Sequence, residues 1–480
     1  MTDSIFSPPE RSPRNEHGSA SKALIASALK DRTARYRFLT RALAVLLGGY
    51  LFFDRAFAWI HVPGTPLFVG EFILALGLYV VIRSGEAVRF IRLSLPMQFL
   101  VAFMGFGFML LILGATSNPV QEAVRDSAIF YYGLFAIVLG ALVRAWEPAY
   151  DLFIRWYTRI IPAFLMIGTV RLLLANRQTG LFLPDSEVLI TSHKPGNVGV
   201  QAVIAIAFLL LVVAPEVERR DRVRNVLLTV GGLLLLALAG TQNRGTLVAG
   251  FIALFAIYLA GKRARPAMGN VLVVLIAAML LAFAFDVRFD LERREVSISQ
   301  LFSNITDINV RAEPGTGEDD GTIAWRLELW DLVLDDTLTN ERFLSGFGFG
   351  PNLAGKYGFY AGAETGPELR NPHNSHLSVL ARMGLIGTSL WVALWAVWYV
   401  YLWRARKRLS QLGESQKAAV LSWCMVGAMA ALINGFFDPS LEGPQAAVWL
   451  WSIYGLGSVV ATEGTVGKWR SRSATNRQAW

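Results

Sequence analysis

The chain has 480 residues, 54% of them hydrophobic and 17% charged, with a mean hydropathy of +0.43. A soluble globular protein carries about 25% charged residues, and the apolar runs here reach the roughly 20 residues that cross a bilayer, so a set of soluble domains is excluded. The net charge of +9 would suit a nucleic acid partner in a soluble protein. In a membrane protein it reads as cytoplasmic loops rich in Lys and Arg, and no nucleic acid is expected.

Residues 1–36 are polar, lack an apolar signal-peptide core and read as a disordered cytoplasmic tail. The expected fold is all-α and polytopic, with about twelve transmembrane helices. The spans lie near 39–58, 66–82, 95–115, 128–143, 152–175, 197–214, 225–241, 245–260, 268–285, 376–403, 417–437 and 443–461. The first nine occupy 37–285. A large outer loop, 286–375, separates spans nine and ten. Spans ten to twelve fill 376–461, and 462–480 form a second cytoplasmic tail. With the N-terminus inside, the inside loops collect Arg83, Arg89 and Arg92, then Arg144, then Arg219 to Arg224, then Lys262 to Arg265, then Arg404 to Arg408. Loops 59–65 and 438–442 hold neither Lys nor Arg. Both termini are therefore expected in the cytoplasm. Cys424, the single cysteine, lies in an apolar run and excludes an intrachain disulfide.

Ionisable residues within spans are costly and mark function. Glu71, Arg171 and Arg382 all fall in the outer thirds of their spans, and no acidic residue falls at a midplane, so any chemistry is expected on the outer face. The turn Thr241-Gln242-Asn243-Arg244-Gly245 lies there. Arg244 offers a guanidinium that binds phosphate through two parallel N–H groups. The outer loop holds an acidic run at Glu318-Asp319-Asp320, a predicted helix at Thr322–Leu338 and the stretch Trp325-Arg326-Leu327-Glu328-Leu329-Trp330. The run Gly346-Phe347-Gly348-Phe349-Gly350 reads as a turn and not as a nucleotide loop.

Next comes Arg370-Asn371-Pro372-His373-Asn374-Ser375-His376, at the junction of the polar loop and an apolar helix. Asn371 is expected to cap that helix, with Pro372 at its first position. His373 and His376 then share a face of the first turn, beside N–H groups that attract phosphate. His193, His373 and His376 could together offer zinc ligands, but no His-Glu-x-x-His spacing supports a zinc site. Arg171, Lys194, Arg370 and His376 are secondary candidates for the same outer surface.

Three ordered segments resemble the O-antigen ligase and polymerase superfamily: 241–245, 325–330 with the glycine run, and the Pro-His-Asn-Ser-His-Leu stretch with Met383-Gly384-Leu385-Ile386-Gly387. The resemblance implies an integral membrane glycosyltransferase without a cofactor. Its donor is a glycan on undecaprenyl pyrophosphate. The acceptor is a hydroxyl of lipid A–core or of a growing polysaccharide, and transfer proceeds with inversion and without a metal. His373 matches the family's catalytic histidine, Arg244 an arginine that binds the pyrophosphate, and Arg326 a loop arginine suited to a second clamp. Arg382 stands where such proteins often carry an acidic or neutral residue. The chemistry of the residues agrees: an imidazole near pKa 6.5 can take a sugar hydroxyl's proton, and fixed guanidinium groups stabilise a leaving pyrophosphate. An O-antigen or exopolysaccharide polymerase, a protein O-glycosylating ligase and a transporter or flippase are the alternative readings. A proton-coupled transporter would call for a midplane carboxylate.

Overall fold

The structure, a computed structural model, describes residues 16–61, 68–174, 188–190, 193–216, 221–261, short pieces between 265 and 296, 318–339, 341–359 and 369–466. Fifteen helices are named here in chain order: α1 Glu16–Ala58, α2 Val69–Arg83, α3 Glu86–Leu93, α4 Leu95–Ser117, α5 Val120–Asp126, α6 Ala128–Tyr131, α7 Leu134–Ala145, α8 Pro148–Leu174, α9 Pro195–Phe208, α10 Arg222–Gln242, α11 Arg244–Ala260, α12 Glu318–Thr339, α13 Ser375–Gln411, α14 Ser415–Asn434 and α15 Pro444–Val466. Strands β1 Phe289–Leu291 and β2 Arg294–Val296 pair antiparallel in a short hairpin.

Among the described residues, seven helical segments are long and apolar enough to cross a membrane: 31–58, 95–117, 128–145, 195–213, 222–242, 375–411 and 415–434. The chain is a multi-pass membrane protein. Helix α11 is apolar but shorter, at 17 residues. Predicted spans 66–82, 152–175 and 443–461 fall on α2, α8 and α15. The predicted ninth span, 268–285, lies almost wholly outside the described residues. Ala260, whose carbonyl accepts from Arg406, stands at the end of the bundle where α13 finishes. Trp330 stands at the opposite end, donating to Pro372 just before α13 begins. The predicted loop helix Thr322–Leu338 is present as α12.

Tryptophan packing fills the centre. Trp395 stacks on Trp451 with centroids 5.7 Å apart, and Trp398 on Tyr454 at 5.2 Å. In an apolar medium an indole N–H needs an internal partner. Trp398 donates to Tyr454 O and Ser458 Oγ, Trp423 to Ile204 O, and Trp449 to Leu47 O. These bonds tie α13 to α15, α14 to α9 and α15 to α1. At the end away from α12, half-buried Arg144 bonds Glu86 of α3 and lies 2.8 Å from Glu463 of α15. One cation counted above as loop charge is thus a tie between three helices.

Helix α13 is broken at Gly384, where φ is 61° and ψ −163°, a conformation open essentially to glycine alone. The break frees backbone groups that the glycine run satisfies. Phe347 and Gly348 N–H donate to Ala381 and Arg382 carbonyls, and Leu385 and Ile386 N–H donate to Phe343 and Leu344 carbonyls. A Cβ on Gly384 would stand 2.5 Å from Gly346 N and from Leu344 C. The glycine run is the turn that its sequence suggests. Its job is to pack against a helix break.

Candidate functional site

The helix ends at α12's side of the bundle converge on the turn Asn434–Glu442, between α14 and α15. Helix α13 starts there, but not as its sequence suggests. Its cap is Asn374, whose side chain accepts from His376 N at 3.0 Å and Leu377 N at 3.1 Å. Asn371 is occupied otherwise. Its oxygen accepts from His373 N at 3.2 Å and its amide donates to Glu442 Oε2 at 3.1 Å. The helix therefore begins at Ser375, and Pro372 is not its first residue. His373 precedes the helix with φ +53°, a left-handed conformation uncommon for residues other than glycine. His373 and His376 do not share a helical face.

The two histidines have different surroundings. His376 Nδ1 accepts from the Trp391 indole at 3.1 Å, and Nε2 lies 2.8 Å from Leu432 O. An indole nitrogen only donates, so Nδ1 carries no proton and Nε2–H donates to the carbonyl. Both ring nitrogens are committed to structure, which also leaves His376 no free atom for zinc. His373 instead meets Trp325 edge to face, with centroids 5.5 Å apart. Burial pushes its imidazole down to about 4, and the nearby Arg326 and Lys194 charges add to this against the pull of Asp438. His373 is neutral at ordinary pH.

Helix α12 supplies the next layer. Trp330 Nε1 donates to Pro372 O at 2.6 Å, which fixes the loop before His373. Arg326 lies with its guanidinium carbon 5.5 Å from the Trp325 ring centroid, and Nη1 reaches Phe437 O at 3.4 Å. Its Nε is buried without a partner among the described residues. Burial lowers its pKa and Asp438 opposes the shift. Arg244 is the first residue of α11, half-buried, after Asn243, whose side chain caps the helix by accepting from Thr246 N at 3.1 Å. A Cβ on Gly245 would lie 2.5 Å from Phe437 Cβ, so the Arg244 turn abuts the residue whose carbonyl accepts from Arg326. Among the described residues no carboxylate pairs with Arg244 or Arg326. Two such cations, one at a helix N-terminus, suit an anion.

Lys194, at the start of α9, pairs with Asp438 at 3.3 Å. Its backbone N–H donates to Asp54 Oδ2 at 2.6 Å, and Asn197 donates to Asp54 Oδ1 at 2.9 Å, so Asp54 ties the end of α1 to the start of α9. Arg171 donates to the Phe52 and Phe53 carbonyls near the kink at Asp54. Arg370 is held by Glu122 at 2.8 Å and Asp126 at 3.3 Å, and donates to Gly350 O at 2.7 Å. Burial works to lower its pKa, but the two carboxylates prevail and raise it. Arg382, only 1% exposed, lies 3.1 Å from Asp126. It also reaches Gly348 and Pro351 carbonyls at 3.4 and 3.3 Å. It is a tie between α5, the glycine run and α13. The structure thus groups His373, Arg326 and Lys194 around Asp438, with Arg244 adjoining, while Arg370 and Arg171 are spent on neighbouring protein groups.

Sequence reasoning missed Asp438, Glu442, Asp126 and Trp325. An Asp-Pro pair just after an apolar helix was the available signal for Asp438. Glu442 is a carboxylate in the same turn. Burial pushes its carboxyl up to about 7, against Ser378, Arg382 and Asn371, while Asp126 adds to the rise.

Residues 227–392 match a family described as O-Antigen ligase. No curated protein matches the chain. The matched segment runs from α10 into α13 and contains Arg244, Arg326, His373 and His376, so the chain's resemblance to the O-antigen ligase superfamily stands over that segment.

Proposed function

We propose that the chain is a membrane glycosyltransferase of the O-antigen ligase type. It moves a glycan from undecaprenyl pyrophosphate to an acceptor hydroxyl, such as that of lipid A–core, on the outer face of a bacterial inner membrane. The observation that carries this reading is the neutral His373 beside Arg326, with Arg244 adjoining at a helix N-terminus. Such a group can take a proton next to a place built for an anion.

The roles follow from the chemistry. Arg244 and Arg326 hold the pyrophosphate oxygens. The acceptor oxygen attacks the anomeric carbon from the face opposite the phosphate, which inverts it. The bond from that carbon to the phosphate oxygen breaks, the lipid pyrophosphate leaves with the electron pair, and the acceptor's proton passes to His373. The free imidazole is a weak base chiefly because it is buried, with the Arg326 and Lys194 charges adding to the effect. A bound pyrophosphate offsets the Arg326 charge and raises His373 toward the range where a general base works best. Lys194 and Asp438 set the charge around that ring. Leaving-group charge is stabilised by guanidinium groups already in place.

The test is transfer in proteoliposomes with undecaprenyl-pyrophosphate glycan and three acceptors: lipid A–core, a second lipid-linked repeat, and a serine-containing pilin. Transfer to lipid A–core supports the ligase reading. Chain extension on the second repeat makes the protein a polymerase. No transfer to any of the three contradicts the proposal.

A further inference from the structure

We propose that Glu442 is a positioning residue for the base. This rests on the reading of His373 as that base. The strained backbone of His373, at φ +53°, needs something to hold it, since a residue other than glycine persists in the left-handed region only where its surroundings fix it. Asn371 does the holding, because its oxygen accepts from His373 N–H at 3.2 Å. An Asn side chain can turn about its last bond and exchange oxygen for nitrogen. Glu442 prevents this. Its Oε2 accepts from Asn371 Nδ2 at 3.1 Å, and a carboxylate accepts only from the nitrogen end.

The relay therefore runs from Glu442 through Asn371 to the His373 backbone. It acts from the turn that also carries Asp438, so one element sets both the charge beside the ring and the loop geometry beneath it. Trp330 fixes Pro372 from the opposite side at 2.6 Å. Remove Glu442 and the Asn371 amide is free to turn, and His373 loses its backbone partner in a share of molecules.

The experiment measures kcat and KM for glycan transfer in proteoliposomes, with donor binding measured separately, for four single variants and one double. Glu442→Ala is expected to lower kcat by about ten- to a hundredfold, the scale of a misplaced catalytic group, with donor binding unchanged. Glu442→Gln keeps an amide oxygen that accepts from Asn371 and is expected to recover most of the rate. Asn371→Ala should lose at least as much as Glu442→Ala, and the Asn371→Ala/Glu442→Ala pair should lose no more than Asn371→Ala alone, because both act on one hydrogen-bonded unit. Should Glu442→Ala fail to insert, the Glu442→Gln and Asn371→Ala comparison carries the test. Wild-type kcat in Glu442→Ala, additive losses in the pair, or Glu442→Gln as slow as Asn371→Ala would each overturn the positioning role. His373→Ala is the control on the base itself. If it alone kept full transfer, the base reading would fall, independently of Glu442.

Discussion

Asp126→Asn isolates what Arg382 is for. The Arg382 guanidinium is buried and 3.1 Å from Asp126. Asparagine fills the same space and can still accept from Gly350 N–H, which bonds Asp126 at 3.2 Å. Arg370 keeps Glu122 at 2.8 Å. Arg382 is left as a buried charge facing carbonyls and the Glu442 carboxyl, which burial pushes up to about 7 and so leaves a weaker partner than Asp126. Breaking a buried pair from one side costs about 3–5 kcal/mol, because the surviving charge stays desolvated. The expected outcome is a clear drop in the temperature at which detergent-solubilised protein loses its monodisperse peak. Removing both charges, with Asp126→Asn and Arg382→Met together, should recover much of the loss, since well-packed apolar replacements of buried pairs are often near neutral. Asp126→Asn melting like the wild type, or a double variant no better than the single, would refute the argument.

Arg244→Lys keeps the charge but loses the planar fork, so transfer should fall strongly while insertion and protein level hold; wild-type transfer in Arg244→Ala would remove the clamp. The pH profile of kcat/KM reports the free enzyme, and a base works only when unprotonated, so activity falls as pH drops through its pKa. Burial and two cations hold His373 at about 4, and its acid limb should therefore lie well below the 6.5 of a free imidazole; a His373-dependent limb at 6.5 would contradict the structure. For topology, Cys424 is fully buried and gives little background, so Glu341→Cys should react with a membrane-impermeant thiol reagent from the outer face; labelling only by permeant reagents would reverse the proposed orientation.

The helices were legible because apolar runs of bilayer length leave few alternatives, and α12 was legible from its own pattern. The start of α13 was not. Asn371 and Asn374 stand three apart, and each is a good cap. What decides between them is Glu442, far along the chain, which engages the Asn371 amide and leaves Asn374 to cap. The same holds for Arg370 and Arg382. Read alone, each is a cation near a phosphate site. Glu122 and Asp126, some 250 residues earlier, turn both into ties. His376, a secondary candidate from its sequence position, has both nitrogens occupied by the distant Leu432 carbonyl and the Trp391 indole, which a pattern of spacings does not reveal.

The central claim is that His373 is the base, and His373→Ala tests it most directly. Glycan transfer is measured in membranes at matched protein levels, with donor binding followed separately and His376→Ala run alongside. His373→Ala should insert and bind the lipid-linked donor through Arg244 and Arg326, yet lose transfer by roughly a hundredfold or more, the contribution of a positioned general base. His376→Ala should lose less. Near-normal transfer in His373→Ala would contradict the account.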